Sequence, residues 1–212
     1  KRYILFWLMA VGTLLTAAAD NVLTLSSVQG HPGEEVEVAV TLQHTDAVTA
    51  LEMQLPLPDE LRYAEGSAVL TDTRSNGHAL SAAEKDGVLT LFLYSMALNP
   101  LKGNDGEVFR FRLRLGKVPA DYNLSPTAML SDAAGNALPC SVTSGTVTLL
   151  SPQIEVLTPV VDYGRVPIRS THRRTFRLRN TGNEPLTISG ATCSNVDFTA
   201  LPENCTVAPG GT

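Results

Sequence analysis

Cysteine is scarce in these 212 residues: Cys140, Cys193 and Cys205 are the whole supply. So few thiols rule out a small disulfide-stapled scaffold, and packing must carry the fold. Cys193 and Cys205, separated by a turn-rich stretch, either bridge, if their Cα atoms come within disulfide reach, or stand as two thiols, and Cys140 is left over in both cases. There is no CxxC, no HExxH and no pair of histidines at helical spacing, so a zinc site has no support. Basic residues are also short, 16 Lys and Arg against 21 Asp and Glu for a formal charge of −5. A protein that coats phosphates needs a basic face to release counterions, so nucleic acid is not the expected partner. GxSxG, a glycine-rich phosphate loop and a Cys/His nucleophile signature are all missing, which points away from an enzyme, and no residue set calls for a cofactor.

What is present fits a packed β protein. Hydrophobic residues make up 43% and charged residues 17%, enough apolar material to fill a core. Thirteen Pro and sixteen Gly suit short strands and turns better than helices, whose hydrogen-bond ladder both residues weaken. The one long apolar run is at the start: Lys1 and Arg2, then Tyr3 to Leu15, then Thr16 and Ala17 to Ala19 before Asp20. A basic flank, a short apolar stretch and small residues form the layout of a signal peptide over residues 1–19. Cleavage after Ala19 removes two basic residues and takes the formal charge from −5 to −7. The expectation is an acidic protein without a membrane span after cleavage, secreted, held at the cell surface or periplasmic.

Past Asp20 the apolar residues alternate with polar ones, which is the period of a strand with one wet face. Leu23 and Leu25 show it, then Val36, Val38, Val40 and Leu42, then Leu51, Met53, Leu55 and Leu57. Leu89, Leu91 and Leu93 follow Asp86-Gly87, and Phe109, Phe111, Leu113 and Leu115 follow Asp105-Gly106. With a last candidate at 145–150, about eight or nine strands are expected over residues 20–150, and turn residues between them indicate a sandwich. Ser151-Pro152 marks a joint, after which the pattern restarts with Ile154 and Val156, a strand over 171–179, the turn Asn180-Thr181-Gly182-Asn183 and a strand over 186–189. Residues 151–212 are fewer than the about 100 of an immunoglobulin-type sandwich, so further strands are expected to complete this second unit.

The run Leu25-Ser26-Ser27-Val28-Gln29-Gly30-His31-Pro32-Gly33-Glu34-Glu35-Val36-Glu37-Val38 resembles the opening of cohesin domains: first strand, Gly-x-Pro-Gly turn, second strand. Asp105-Gly106-Glu107-Val108-Phe109-Arg110-Phe111 is similar to that family's Asp-Gly turn before a Phe-rich strand, and Ala50 to Leu61 adds to the likeness. Where cohesins carry Tyr-Asp-Pro after the third strand, this chain has Leu57-Pro58-Asp59. The resemblance implies a jelly-roll β-sandwich over 20–150 and a dockerin-like extracellular protein as partner. Asp162-Tyr163-Gly164-Arg165-Val166 and Phe176 to Ile188, with its Arg-Asn-Thr-Gly-Asn-Glu-Pro-Leu core, resemble the immunoglobulin-like domains of the abnormal-spindle and Hydin type. The order implied is all-β: a cohesin-like sandwich, then an incomplete immunoglobulin-like sandwich, in an exported multidomain surface protein.

Strand alternation also nominates a binding surface. If Leu51, Met53 and Leu55 face inward, Glu52 and Gln54 face outward; if Leu89, Leu91 and Leu93 face inward, so do Thr90, Phe92 and Tyr94 face outward. Phe92 and Tyr94 then form an aromatic pair of the kind that anchors interfaces, unless they sit beneath a second layer. The resemblance places Glu52 where cohesins carry an acidic or amide residue on the dockerin-facing sheet. Solvent-facing aromatics also suit a polysaccharide partner, which keeps a carbohydrate-binding module, or an accessory region of an extracellular glycoside hydrolase, as the alternative. The remaining polar groups read as bland. His31, His44, His78 and His172 are expected on the surface, Asp59-Glu60 as a solvated turn, and Asn104, Asp105 and Glu107 as a turn rather than a Ca²⁺ loop. Arg110, Arg112 and Arg114, like Arg173, Arg177 and Arg179, are expected on wet strand faces, where charge also guards sheet edges.

Overall fold

The computed structural model describes residues 21–201 and 204–212, so the expected signal peptide lies outside the described residues. The strands in chain order are β1 (Val22–Leu25), β2 (Val28–Gly30), β3 (Glu35–Gln43), β4 (Ala50–Pro56), β5 (Leu61–Tyr63), β6 (Val69–Leu70), β7 (His78–Lys85), β8 (Val88–Ser95) and β9 (Glu107–Leu115). They continue as β10 (Ala120–Leu124), β11 (Thr127–Ser131), β12 (Ala137–Leu138), β13 (Ser141–Thr143), β14 (Gly145–Leu149), β15 (Ile154–Val156), β16 (Leu178–Asn180), β17 (Leu186–Ile188) and β18 (Cys205–Val207). The fold is all-β among the described residues.

One sheet runs β13-β1-β3-β9-β5, with β6 also on β9; a three-stranded sheet runs β10-β14-β2; the facing sheet runs β12-β11-β4-β8-β7. The alternation along each long strand decides which side meets the other sheet. On β3, Val36, Val38, Val40 and Leu42 are buried while Glu35 and Glu37 face out; on β4, Leu51, Met53 and Leu55 are fully buried; on β8, Leu89, Leu91 and Leu93 are. With Phe109, Phe111, Leu113 and Leu115 of β9 they form one continuous core. Each such side chain contributes about 1.5–3 kcal/mol by leaving water.

Turn chemistry sets the register. Asp86 (φ 52°) and Gly87 (φ 76°) both take positive φ, the requirement of a two-residue hairpin turn whose twist matches its strands. This turn joins β7 to β8 in an unbroken antiparallel ladder from His78↔Ser95 to Lys85↔Val88.

Residues 154–212 are organised differently. They hold two short pairings, β15 with β16 and β17 with β18, and the expected strand over 171–179 is reduced to its last residues in β16. The core ends at Leu149, and Ile154, Val156, Ile168, Phe176, Val196 and Phe198 are all exposed. The exception is Asn180, fully buried, whose amide donates to Glu184 O (2.7 Å) and Val207 O (3.0 Å) while its Oδ1 accepts from Gly182 N–H (3.0 Å). The Asn-Thr-Gly-Asn turn is thus fixed by its first residue. Its last residue reaches back to the sandwich: Asn183 Nδ2 donates to Leu149 O (2.8 Å), and Ser151 N–H donates to Asn183 Oδ1 (2.9 Å). His31 meets Glu184 at 3.3 Å across the same joint, and that carboxylate, aided by Glu34, holds the exposed imidazole above its ordinary pKa.

Candidate binding face

Outward positions of the β12-β11-β4-β8-β7 sheet line up in rows across its strands. One row is Met129, Glu52, Phe92 and Ser81; the next is Thr127, Gln54, Thr90 and Ala83; the third is Ser131, Ala50, Tyr94 and Ala79. Glu52, Gln54, Thr90, Phe92 and Tyr94, nominated from the sequence, therefore occupy adjacent positions on two paired strands. Phe92 is 40% exposed, and its ring stacks on Tyr94 with centroids 5.2 Å apart and planes 23° from parallel. Gln54 Nε2 donates to Glu52 Oε1 at 2.7 Å, so the amide and the carboxylate form one polar unit beside the rings.

The backbone beneath is rigid for a physical reason: every second residue of β4 and β8 is clamped in the core, so the Cα positions of the intervening residues cannot shift without disturbing it. Small residues of β7, Ala79, Ser81 and Ala83, extend the face as a low, exposed apron. Met129 was missed by sequence reading. At 62% exposure it is a large apolar side chain in register with Glu52 and Phe92. Its only signal was the short alternation of Thr127-Ala128-Met129-Leu130-Ser131, in which buried Leu130 forces Met129 outward. The result is a flat surface with an apolar centre and a polar flank, which suits contact with another macromolecule rather than capture of a small molecule.

Other sequence expectations resolve as follows. His44 and His78 are not on the surface but buried, at 4% and 8% exposure, because His44 continues the inward-facing alternation of β3 past Leu42 and His78 opens that of β7 ahead of Leu80. Arg110, Arg112 and Arg114 do face water, but β9 is interior to its sheet, so they guard no edge; they pair with Glu37 and Glu35 of neighbouring β3. Glu60 is a loop tie: its carboxylate accepts the backbone N–H groups of Lys117 and Val118, which hold its pKa below the usual carboxylate range. Cys140, Cys193 and Cys205 are all free thiols, so the bridge considered for Cys193 and Cys205 is not formed in this structure. No group of His, Cys, Asp and Glu among the described residues is arranged to hold a metal ion.

Comparison with known proteins gives the fold a class. The sandwich is that of cohesin domains. A non-cellulosomal cohesin from the hyperthermophilic archaeon Archaeoglobus fulgidus superposes with a TM-score of 0.53 at 17% identity, covering 63% of this chain and 93% of its own. The sixth cohesin of Acetivibrio cellulolyticus scaffoldin B, solved in complex with a Cel5 dockerin, gives 0.52 at 18% identity, covering 62% and 99%. A type I cohesin of Clostridium thermocellum, also in a dockerin complex, gives 0.52 at 15% identity, covering 61% and 99%. Residues 152–212 match the HYDIN/CFA65/VesB-like Ig-like domain family. No curated protein matches the chain.

Proposed function

We propose that this chain is a non-catalytic protein-binding module that docks a dockerin-type partner on the outward face of β4 and β8. The stacked Phe92–Tyr94 pair carries the reading: two aromatic rings, Phe92 exposed and Tyr94 half-buried, stack on the outward side of a strand whose alternate residues are locked in the core. Exposing such area is justified when a partner covers it, and aromatics supply contact area at little entropic cost. Glu52 and Gln54 supply the polar flank that fixes orientation, and Met129 widens the apolar centre. The solved cohesins with dockerins bound support the partner class.

The same proposal assigns residues 20–150 to the cohesin-like module and 151–212 to an immunoglobulin-like unit, in an exported, multidomain surface protein. The share of the chain covered by the cohesins is the size of the first span, and the Ig-like family match begins where the core ends. Carbohydrate binding is the second reading, favoured by the same exposed rings, since near-parallel aromatics can stack on sugar rings. Titration of the chain against dockerin-bearing extracellular proteins of the same cell, with a glycan array alongside, tests both. Saturable binding to a dockerin that weakens at least tenfold in Phe92→Ala supports the first; glycan binding without dockerin binding replaces it with the second.

A further inference from the structure

The connections β3–β4, β6–β7 and β8–β9 meet at one end of the sandwich. Backbone bonds knit them together: Leu42 N–H to Gly106 O (3.0 Å), His44 N–H to Asn104 O (2.8 Å), Leu101 N–H to Val48 O (2.8 Å) and Lys102 N–H to Arg74 O (3.0 Å). Among them lies Arg74, only 4% exposed. Among the described residues its guanidinium has a single acceptor, the Leu42 carbonyl, 3.3 Å from Nη2. Nε and Nη1 are buried with no protein partner, and Arg74 forms no ion pair with any described residue. Asp105, exposed on the covering loop, acts on it only through space.

A guanidinium keeps its proton under all ordinary conditions, so this is a buried positive charge with one weak hydrogen bond. Burying an unpaired charge is among the costliest things a fold can do, and buried cations are normally paired.

We propose that Arg74 is the base of a small-anion site at this end of the sandwich, taking a monovalent, halide-sized ion beneath the covering loops. Size follows from closure. The two unpartnered guanidinium nitrogens have essentially no contact with solvent, so an extended polyanion cannot reach them, whereas a small ion enters when the loops open briefly. The bound ion would neutralise Arg74 and fasten three connections at once. This site is independent of the outward face of β4 and β8.

Chloride against gluconate tests it on the whole chain at equal ionic strength. The melting temperature should be higher in chloride by about 3 °C, as expected when an ion binds only the folded state near tenfold above its dissociation constant. The ³⁵Cl resonance of chloride should broaden with the folded chain and recover on unfolding. Both effects should vanish in Arg74→Met and persist in Arg74→Lys. Equal melting temperatures with no ³⁵Cl broadening in the unaltered chain would overturn the proposal whether or not the variants fold, as would a chloride effect that survives Arg74→Met. A chain indifferent to chloride that becomes chloride-dependent in Asp105→Asn would assign the counter-charge to Asp105 and also overturn it.

Discussion

Leu91 and Phe92 are neighbours on β8 with opposite surroundings, and their substitutions should fail in opposite ways. Leu91 is fully buried, so Leu91→Ala should cost about 2–5 kcal/mol in unfolding free energy through lost burial and a residual cavity. Phe92→Ala and Tyr94→Ala should leave chemical unfolding nearly unchanged and weaken partner binding, the pattern of an interface anchor. A denaturation curve beside a binding isotherm for each variant checks this. His78 supplies a pH prediction. Burial pushes its pKa below the ordinary value, against a smaller opposing pull from the Thr49 backbone. A base that binds its proton less well when folded lets the unfolded chain take up protons first, so stability present at neutral pH falls as pH drops below about 6.5. In His78→Gln that part of the acid slope should disappear from melting temperatures measured between pH 7 and 5; an unchanged slope would remove His78 from the account.

At the scale of elements, the long strands were legible from the order of apolar and polar residues. In β3, β4, β8 and β9 each inward residue is Val, Leu, Met or Phe apart from Ser95 at the end of β8, so the period of two is unmistakable. β7 was not legible, because its inward positions after His78 are Leu80, Ala82 and Glu84, half-covered and barely distinct from the outward Ala79, Ser81 and Ala83. It forms because the Asp86-Gly87 turn and β8 dictate its pairing. The same split holds for the candidate face: Phe92 and Tyr94 were visible through the leucines around them, while Met129 depended on β11, whose placement comes only from its ladder with β4. Connections can be as exacting as strands. A Cβ on Gly182 would collide with the Ser151 carbonyl oxygen and the Gln153 backbone nitrogen. Gly182→Ala should therefore loosen the joint to β15 while leaving the sandwich intact, seen as faster hydrogen exchange at Thr181 and Asn183, whose N–H groups bond to Gln153 and Ser151.

Across the whole molecule, stability is unevenly shared. Among the described residues every buried apolar side chain of the core lies at or before Leu149, while the Ig-like stretch exposes Ile154, Ile168, Phe176, Val196 and Phe198 and only half-buries Leu178, Leu186, Ile188 and Val207. Amides of β3, β4, β8 and β9 should exchange orders of magnitude more slowly than those of β15 to β18, a contrast that exchange mass spectrometry reads directly. A rigid sandwich with a stable face can hold a partner without itself changing shape, and this is the claim on which the functional reading stands. Calorimetric titration of a dockerin-bearing protein into the unaltered chain and into the Phe92→Ala, Tyr94→Ala double variant tests it most directly. The account predicts saturable one-to-one binding to the first and a loss of at least tenfold in affinity for the second, with both chains melting alike. Binding of equal strength to both chains would contradict it.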